Sequence, residues 1–127
     1  MLKVRSAFAS FSTNDIDAAK AFYAGLGLEV RDTPMGVIEV MVDGDQHVTI
    51  YPKPNHEPAS FTVLNFIVPD IDEAVDDLAA MGVEMEHYDM PGMERDGDIH
   101  RGGGMNVAWF KDPAGNILSV QNGPDQS

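Results

Sequence analysis

The chain has 127 residues, 43% of them hydrophobic, and sets 8 Lys and Arg against 21 Asp and Glu for a formal charge of −13. That length fits one domain burying roughly two-thirds of its unfolded surface, so a core can form without staples. The absence of cysteine excludes disulfides, thiolate metal sites and a cysteine nucleophile, and so few cations exclude a nucleic-acid-binding face. The acidic surplus keeps the protein soluble and could also attract a cationic ligand. The opening Met1-Leu2-Lys3-Val4-Arg5 leads into no sustained apolar run. Neither a signal peptide nor a membrane span is expected, and a cytoplasmic protein is the default.

Ala7–Ser12 reads as a short strand. A helix follows from about Asp15, with Ile16, Ala19, Tyr23 and Leu26 spaced for one face and Gly27 where it should stop. Three strands come next, Leu28–Arg31, Val37–Val42 and His47–Tyr51, the last two joined at Asp43-Gly44-Asp45. The proline-rich stretch Pro52–Pro58 is a stiff connector. Val63–Val68 is rich in branched and aromatic residues and reads as the next strand. Asp70 then opens a helix whose stripe is Ile71, Ala74, Val75, Leu78 and Met81, and which stops at Gly82. Asp70 with Glu73 resembles a capping box. The closing strands are Val83–Tyr88, Val107–Phe110 and Ile117–Gln121, with Asp112–Asn116 as the final turn. Between them lies a long loop, Asp89–Gly104.

The two halves match. Phe11, Asp15, Ile16, Asp17, Ala19, Ala24, Gly27 and Glu29 recur, each 55 residues later, as Phe66, Asp70, Ile71, Asp72, Ala74, Ala79, Gly82 and Glu84. Identity at one offset and in one order marks a duplicated supersecondary unit. The expected fold is therefore α+β, two tandem βαβββ modules in a single domain over 1–127. Module one covers about 4–52, the linker about 52–60 and module two about 61–122. The Asp89–Gly104 loop has no counterpart in the first module.

The run Asp15-Ile16-Asp17-Ala18-Ala19-Lys20-Ala21-Phe22-Tyr23, then Gly25-Leu26-Gly27-Leu28, and the ending Trp109-Phe110-Lys111-Asp112-Pro113-Ala114-Gly115-Asn116 resemble the vicinal oxygen chelate superfamily. That superfamily holds glyoxalase I, bleomycin-resistance proteins, fosfomycin-resistance enzymes and extradiol dioxygenases. The resemblance implies a curved mixed sheet around a cavity and a homodimer. In enzymatic members it also implies a divalent metal held by His, Glu or Gln side chains. The matching positions here are Phe8, Val63 and Ser119, with a fourth at Thr49, Ile50 or Tyr51. Phenylalanine and valine cannot ligate, and a serine hydroxyl is a poor ligand beside carboxylate or imidazole. No metal is therefore expected, and no cofactor.

If Phe8 faces the cavity, strand alternation places Ser10 and Ser12 there, with Ala9 and Phe11 under the helix. By the same rule Val63, Asn65 and Ile67 face inward while Leu64, Phe66 and Val68 pack against the second helix; Ile117, Ser119 and Gln121 share the cavity side. Ser10, Asn65 and Ser119 either meet a ligand or satisfy one another. Tyr51 points inward or packs at the strand end, and the face of Trp109 turns on the hairpin register. In the long loop, Glu94, Asp96, Asp98 and His100 alternate, so an extended segment would gather them on one side for a relocated metal. As a lid hinged at Gly102-Gly103-Gly104, the loop would bring His100 or Arg101 to a ligand. His47, His56 and His87 are expected at the surface or at strand edges.

These residues point to a metal-independent small-molecule binder that sequesters a small organic or cationic compound through Phe8, Ser10, Tyr51, Val63, Asn65, Ser119 and Arg101. The alternative is a lyase or isomerase using a relocated metal or His100, Glu94 and Tyr51 as acid–base groups. A small molecule and a second copy of the chain are the expected partners; nucleic acid and membrane are not.

Overall fold

Each half of the chain is organised by a ten-residue helix whose start is set by an aspartate. In the computed structural model residues 1–123 are described, and the chain divides into two units, Met1–Glu57 and a second beginning at Pro58.

In the first unit α1 (Ile16–Gly25) begins where the Asp15 carboxylate accepts the Ala18 N–H at 3.1 Å. An N-cap exists to satisfy such a donor, left without an intrahelical partner. The chain leaves the helix through Gly27, whose left-handed φ of 93° a side chain would resist. Strands β1 (Ala9–Thr13), β2 (Glu29–Asp32), β3 (Ile38–Asp43) and β4 (Gln46–Pro52) form one sheet in the order β1-β4-β3-β2. β1 runs parallel to β4 and the other pairs are antiparallel. Register puts Phe11 opposite Ile50, Ile50 opposite Ile38 and Val48 opposite Val40, and all five are buried with Ala19 and Tyr23 of the helix. Each such branched side chain, taken fully from water, contributes about 1.5–3 kcal/mol. Ala9, expected beneath the helix with Phe11, is exposed at the start of its strand.

The second unit repeats the plan and adds to it. α2 (Ile71–Ala80) starts where Asp70 accepts the Glu73 N–H at 3.2 Å, and buries Ile71, Val75 and Leu78. Its sheet holds β5 (Thr62–Ile67), β6 (Met85–Glu86), β7 (Glu94–Asp96), β8 (Ile99–Gly102), β9 (Met105–Lys111) and β10 (Ile117–Asn122). The order is β5-β10-β9-β8-β7, with β6 pairing on β9 beyond the end of β8. β5 is parallel to β10, as β1 is to β4. α2 packs on β8, β9 and β10, over Ala108, Phe110, Leu118 and Val120. The turn into β10 is tied by Asp112, whose carboxylate accepts the N–H groups of Ala114 and Asn116 at 3.0 and 2.9 Å and the Asn116 side-chain amide at 3.0 Å.

The segment 89–104 is not the open loop that its length suggests. β7 and β8 form a hairpin turning at Gly97, and β8 joins the sheet against β9. Nor do the three glycines make a hinge. A Cβ on Gly102 would overlap the Gly92 carbonyl oxygen and come within 3.0 Å of the Met93 Cα, so glycine lets two backbones approach. Gly103 and Gly104 take left-handed φ values of 61° and 80°, as a tight turn between β8 and β9 demands.

Candidate functional site

Each sheet has one face against its helix and one face turned away from it, and the second face carries most of the chemistry. In the second unit, Ser119 lies opposite Asn65 on β5 and opposite Trp109 on β9, while Val107 lies opposite His100 on β8. Paired residues share a face. Asn65, Ser119, Trp109, Val107 and His100 therefore form one continuous surface away from α2. Ile67 stands on it 55% exposed, and Val63 is half-buried.

At its centre is a small polar cluster. Ser119, fully buried, donates to Asn65 Oδ1 at 2.6 Å, and the Gln121 amide donates to Asn65 Oδ1 at 3.1 Å and to Ser119 Oγ at 3.2 Å. Asn65 and Ser119 thus satisfy each other, and the exposed Asn65 keeps its own amide N–H groups for another partner. Ser10 belongs to the first unit.

Next to it the residues His87–Met93 lie over His100 and Trp109. His100 is 2% exposed, and its Nε2 accepts the Tyr88 backbone N–H at 3.1 Å. An accepting imidazole nitrogen carries no proton, so the ring is neutral with its hydrogen on Nδ1. The Trp109 indole lies between, its N–H bonded to Thr62 Oγ1 at 3.0 Å, with the His100 and Tyr88 rings edge-on at 4.8 and 5.3 Å. A cavity of about 360 Å³ opens here, lined by His87, Tyr88, Asp89, Met90, Met93, Arg95 and His100. Two buried polar atoms, His100 Nδ1 and the Tyr88 hydroxyl, find no hydrogen-bond partner among the described residues. Burial, aided by the Glu86 charge, holds the Tyr88 phenol above its ordinary pKa, so it stays protonated at neutral pH.

In the first unit the corresponding face carries Ser10 opposite Thr49 and Ser12 opposite Tyr51. Phe8, 62% exposed, stacks on His47 at 5.1 Å between centroids, and His47 also meets Glu39 at 3.4 Å. Tyr51 is exposed on this face, and Ile50 is buried on the other, which removes Ile50 from the candidates. A contact that spacing gave no hint of joins Ser12 Oγ to His56 Nδ1 at 2.6 Å and fastens the proline-rich connector to β1.

Several expected residues fall elsewhere. Arg101 lies apart from the face that carries His100. It lies opposite Asn106 on the helix side, where it reaches Asn106 at 2.9 Å, Asp96 at 3.0 Å and Asp72 of α2 at 3.2 Å. The cluster of Glu94, Asp96, Asp98 and His100 does not assemble. The turn at Gly97 puts Glu94 opposite Arg101 and Asp96 opposite Ile99, whereas His100 lies opposite Arg95 on the other face. Asp98 is bound instead to His87 at 2.7 Å. Glu94 thus sits on the opposite face of the hairpin from His100. Among the described residues no group of three His, Asp or Glu side chains is placed to hold a metal ion.

The model of the Glyoxalase/Bleomycin resistance protein/Dioxygenase superfamily matches residues 6–120. The chain belongs to this superfamily. Solved structures of the superfamily fold agree. A bleomycin resistance determinant encoded on transposon Tn5 is 21% identical, with a TM-score of 0.70 over 95% of this chain and 99% of that one. A bleomycin-binding protein solved with bleomycin is also 21% identical, with a TM-score of 0.69 over 94% and 98%. The fosfomycin resistance protein FosX of Listeria monocytogenes is 14% identical, with a TM-score of 0.70 over 98% and 97%. At such identities the likeness is one of fold. No curated protein sequence matches the chain. At the positions where the sequence resemblance implies metal ligands, the side chains are Phe8, Val63 and Ser119. Phe8 and Val63 offer no lone pair, and the Ser119 hydroxyl is spent on Asn65.

Proposed function

We propose that this protein binds a small organic compound without a divalent metal and works by sequestering it. The observation that carries the reading is the replacement at Phe8, Val63 and Ser119, next to a sheet face that keeps exposed apolar and amide groups. A face of this kind orients an organic ligand through a few placed polar atoms. The bleomycin-binding relative shows that the fold can hold a small molecule. A cytoplasmic homodimer completes the reading. Phe61, 67% exposed, is an apolar side chain that a second copy would cover, and no helix among the described residues is long and apolar enough to cross a membrane.

The test is a thermal-shift screen of small organic acids, amines and antibiotics, bleomycin among them, with and without excess EDTA. Stabilisation that EDTA leaves intact is expected. Stabilisation appearing only after a divalent ion is added, or none with any compound, sinks the proposal.

A further inference from the structure

Two residues that line the cavity beneath His87–Met93 carry buried polar atoms with no hydrogen-bond partner among the described residues. An unsatisfied buried donor costs about 1–3 kcal/mol, and folded proteins rarely keep one without a water or ligand to meet it. Here there are two, His100 Nδ1–H and the Tyr88 hydroxyl, on rings that both pack edge-on against Trp109. Arg95 lies directly across the hairpin from His100 and lines the same cavity. Among the described residues it has no ion-pair partner, unlike Lys20, Arg31, Arg101 and Lys111.

We propose that this cavity binds a small organic carboxylate, its oxygens taken by His100 Nδ1–H and the Tyr88 hydroxyl and its charge balanced by Arg95. The donor inventory selects the class. With its proton on Nδ1, His100 can only donate there, Arg95 can only donate, and a protonated tyrosine donates readily. Three donors around one space call for an acceptor, and an ionised acceptor makes the strongest bonds. The acids of the neighbourhood do not oppose this: Glu86, whose charge reaches Tyr88, is paired with Lys111 at 3.5 Å. Asp98 is engaged with His87, and Asp89 is exposed, where water and salt screen it. Met90 and Met93 supply a soft apolar wall for the body of the ligand. A volume of about 360 Å³ lies at the lower end of small-ligand cavities and favours a compact acid. The inference rests on the small-molecule-binding reading above and gives it a ligand class.

Trp109 is the only tryptophan and packs against His100 and Tyr88, so its fluorescence reports binding beside those two rings. The probes are 3-phenylpropanoate and indole-3-acetate, with 3-phenylpropanamide and 3-phenylpropylamine as the neutral and cationic counterparts. The acids are expected to give saturable changes, the amide binding about tenfold more weakly and the amine not at all. Tyr88→Phe and Arg95→Gln, neither of which removes a bond that holds the fold, should each weaken acid binding about 5- to 10-fold. In NMR spectra of the wild type the His100 Nδ1–H resonance should move with the acids. Equal binding of acid, amide and amine, no binding of either acid, or unchanged affinity in both variants overturns the inference. A compound that moves the Asn65 and Gln121 amide resonances but leaves His100 still would overturn it while sparing the binder reading. Failure of every compound to move either set removes both.

Discussion

Replacing Gly102 by alanine adds one methyl group and should be among the most damaging changes available in this chain. Gly102 has no left-handed φ, so backbone strain is not the issue. The obstacle is space. The new Cβ would overlap the Gly92 carbonyl oxygen, with the Gly92 carbonyl carbon and Met93 Cα at 3.1 and 3.0 Å. All three are backbone atoms and cannot rotate away, so the Gly92–Met93 turn must shift or β8 must leave β9. Overpacking of a rigid environment costs about 1–3 kcal/mol and occasionally more; the upper figure, about 3 kcal/mol, applies here. Against a total stability of about 5–15 kcal/mol that is a large share. Gly103→Ala is the control. Nothing lies within 4 Å of its added carbon, and only the φ of 61° opposes it, at about 1 kcal/mol. Urea unfolding followed by Trp109 fluorescence measures both. A loss at Gly102 below about 0.5 kcal/mol, or one smaller than at Gly103, would refute the close-packed account and restore a flexible glycine hinge.

Other outcomes follow from single contacts. Asp112→Ala leaves three donors of the final turn without that carboxylate and should cost about 2–4 kcal/mol, with Asp112→Asn recovering part; a loss under about 1 kcal/mol would show that the turn does not depend on it. Ser119→Ala should cost only about 1 kcal/mol, because Asn65 Oδ1 keeps the Gln121 amide, and urea denaturation separates this from a larger loss that would reveal a more central role. Tyr88→Phe removes an unpartnered hydroxyl and should leave stability at pH 7 unchanged or raise it by up to about 1 kcal/mol. With pH the sign is set by the raised phenol pKa. The folded state holds that proton more tightly than the unfolded chain, so the stability it contributes is complete below the ordinary tyrosine pKa of about 10 and is lost as pH rises through the higher folded value. Unfolding at pH 9 and 11 should show a steeper decline for the wild type than for Tyr88→Phe, and equal declines would contradict the assignment.

The duplicated frame is legible in the sequence because its causes are local and repeated. Asp15 and Asp70 cap their helices, Gly27 and Gly82 end them, and the buried stripes recur at the helical period. Strand alternation likewise leads correctly to the face shared by Asn65, Ser119 and Gln121. The hairpin of β7 and β8 is harder to see. Glu94, Arg95 and Asp96 are all exposed and polar, so hydrophobic periodicity is silent there, and the only local cue is Asp96-Gly97, a pair suited to a tight turn. One turn at that point reverses the chain and separates Glu94 from His100, which an extended segment would have kept together. Arg101 moves to the helix side for the same reason. The three glycines show a second limit, since composition cannot tell a hinge from a close approach; only the neighbour of Gly102 decides it. The bond between Ser12 and His56, 44 residues apart, has no sequence signature at all.

The most direct test of the account is elemental analysis of the untagged protein, purified without chelators. The account predicts no bound zinc, nickel, manganese or iron near stoichiometry, and no gain in melting temperature when these ions are added. A near-stoichiometric metal would contradict it, and would mean that the side chains at Phe8, Val63 and Ser119 are not where this protein's chemistry is decided.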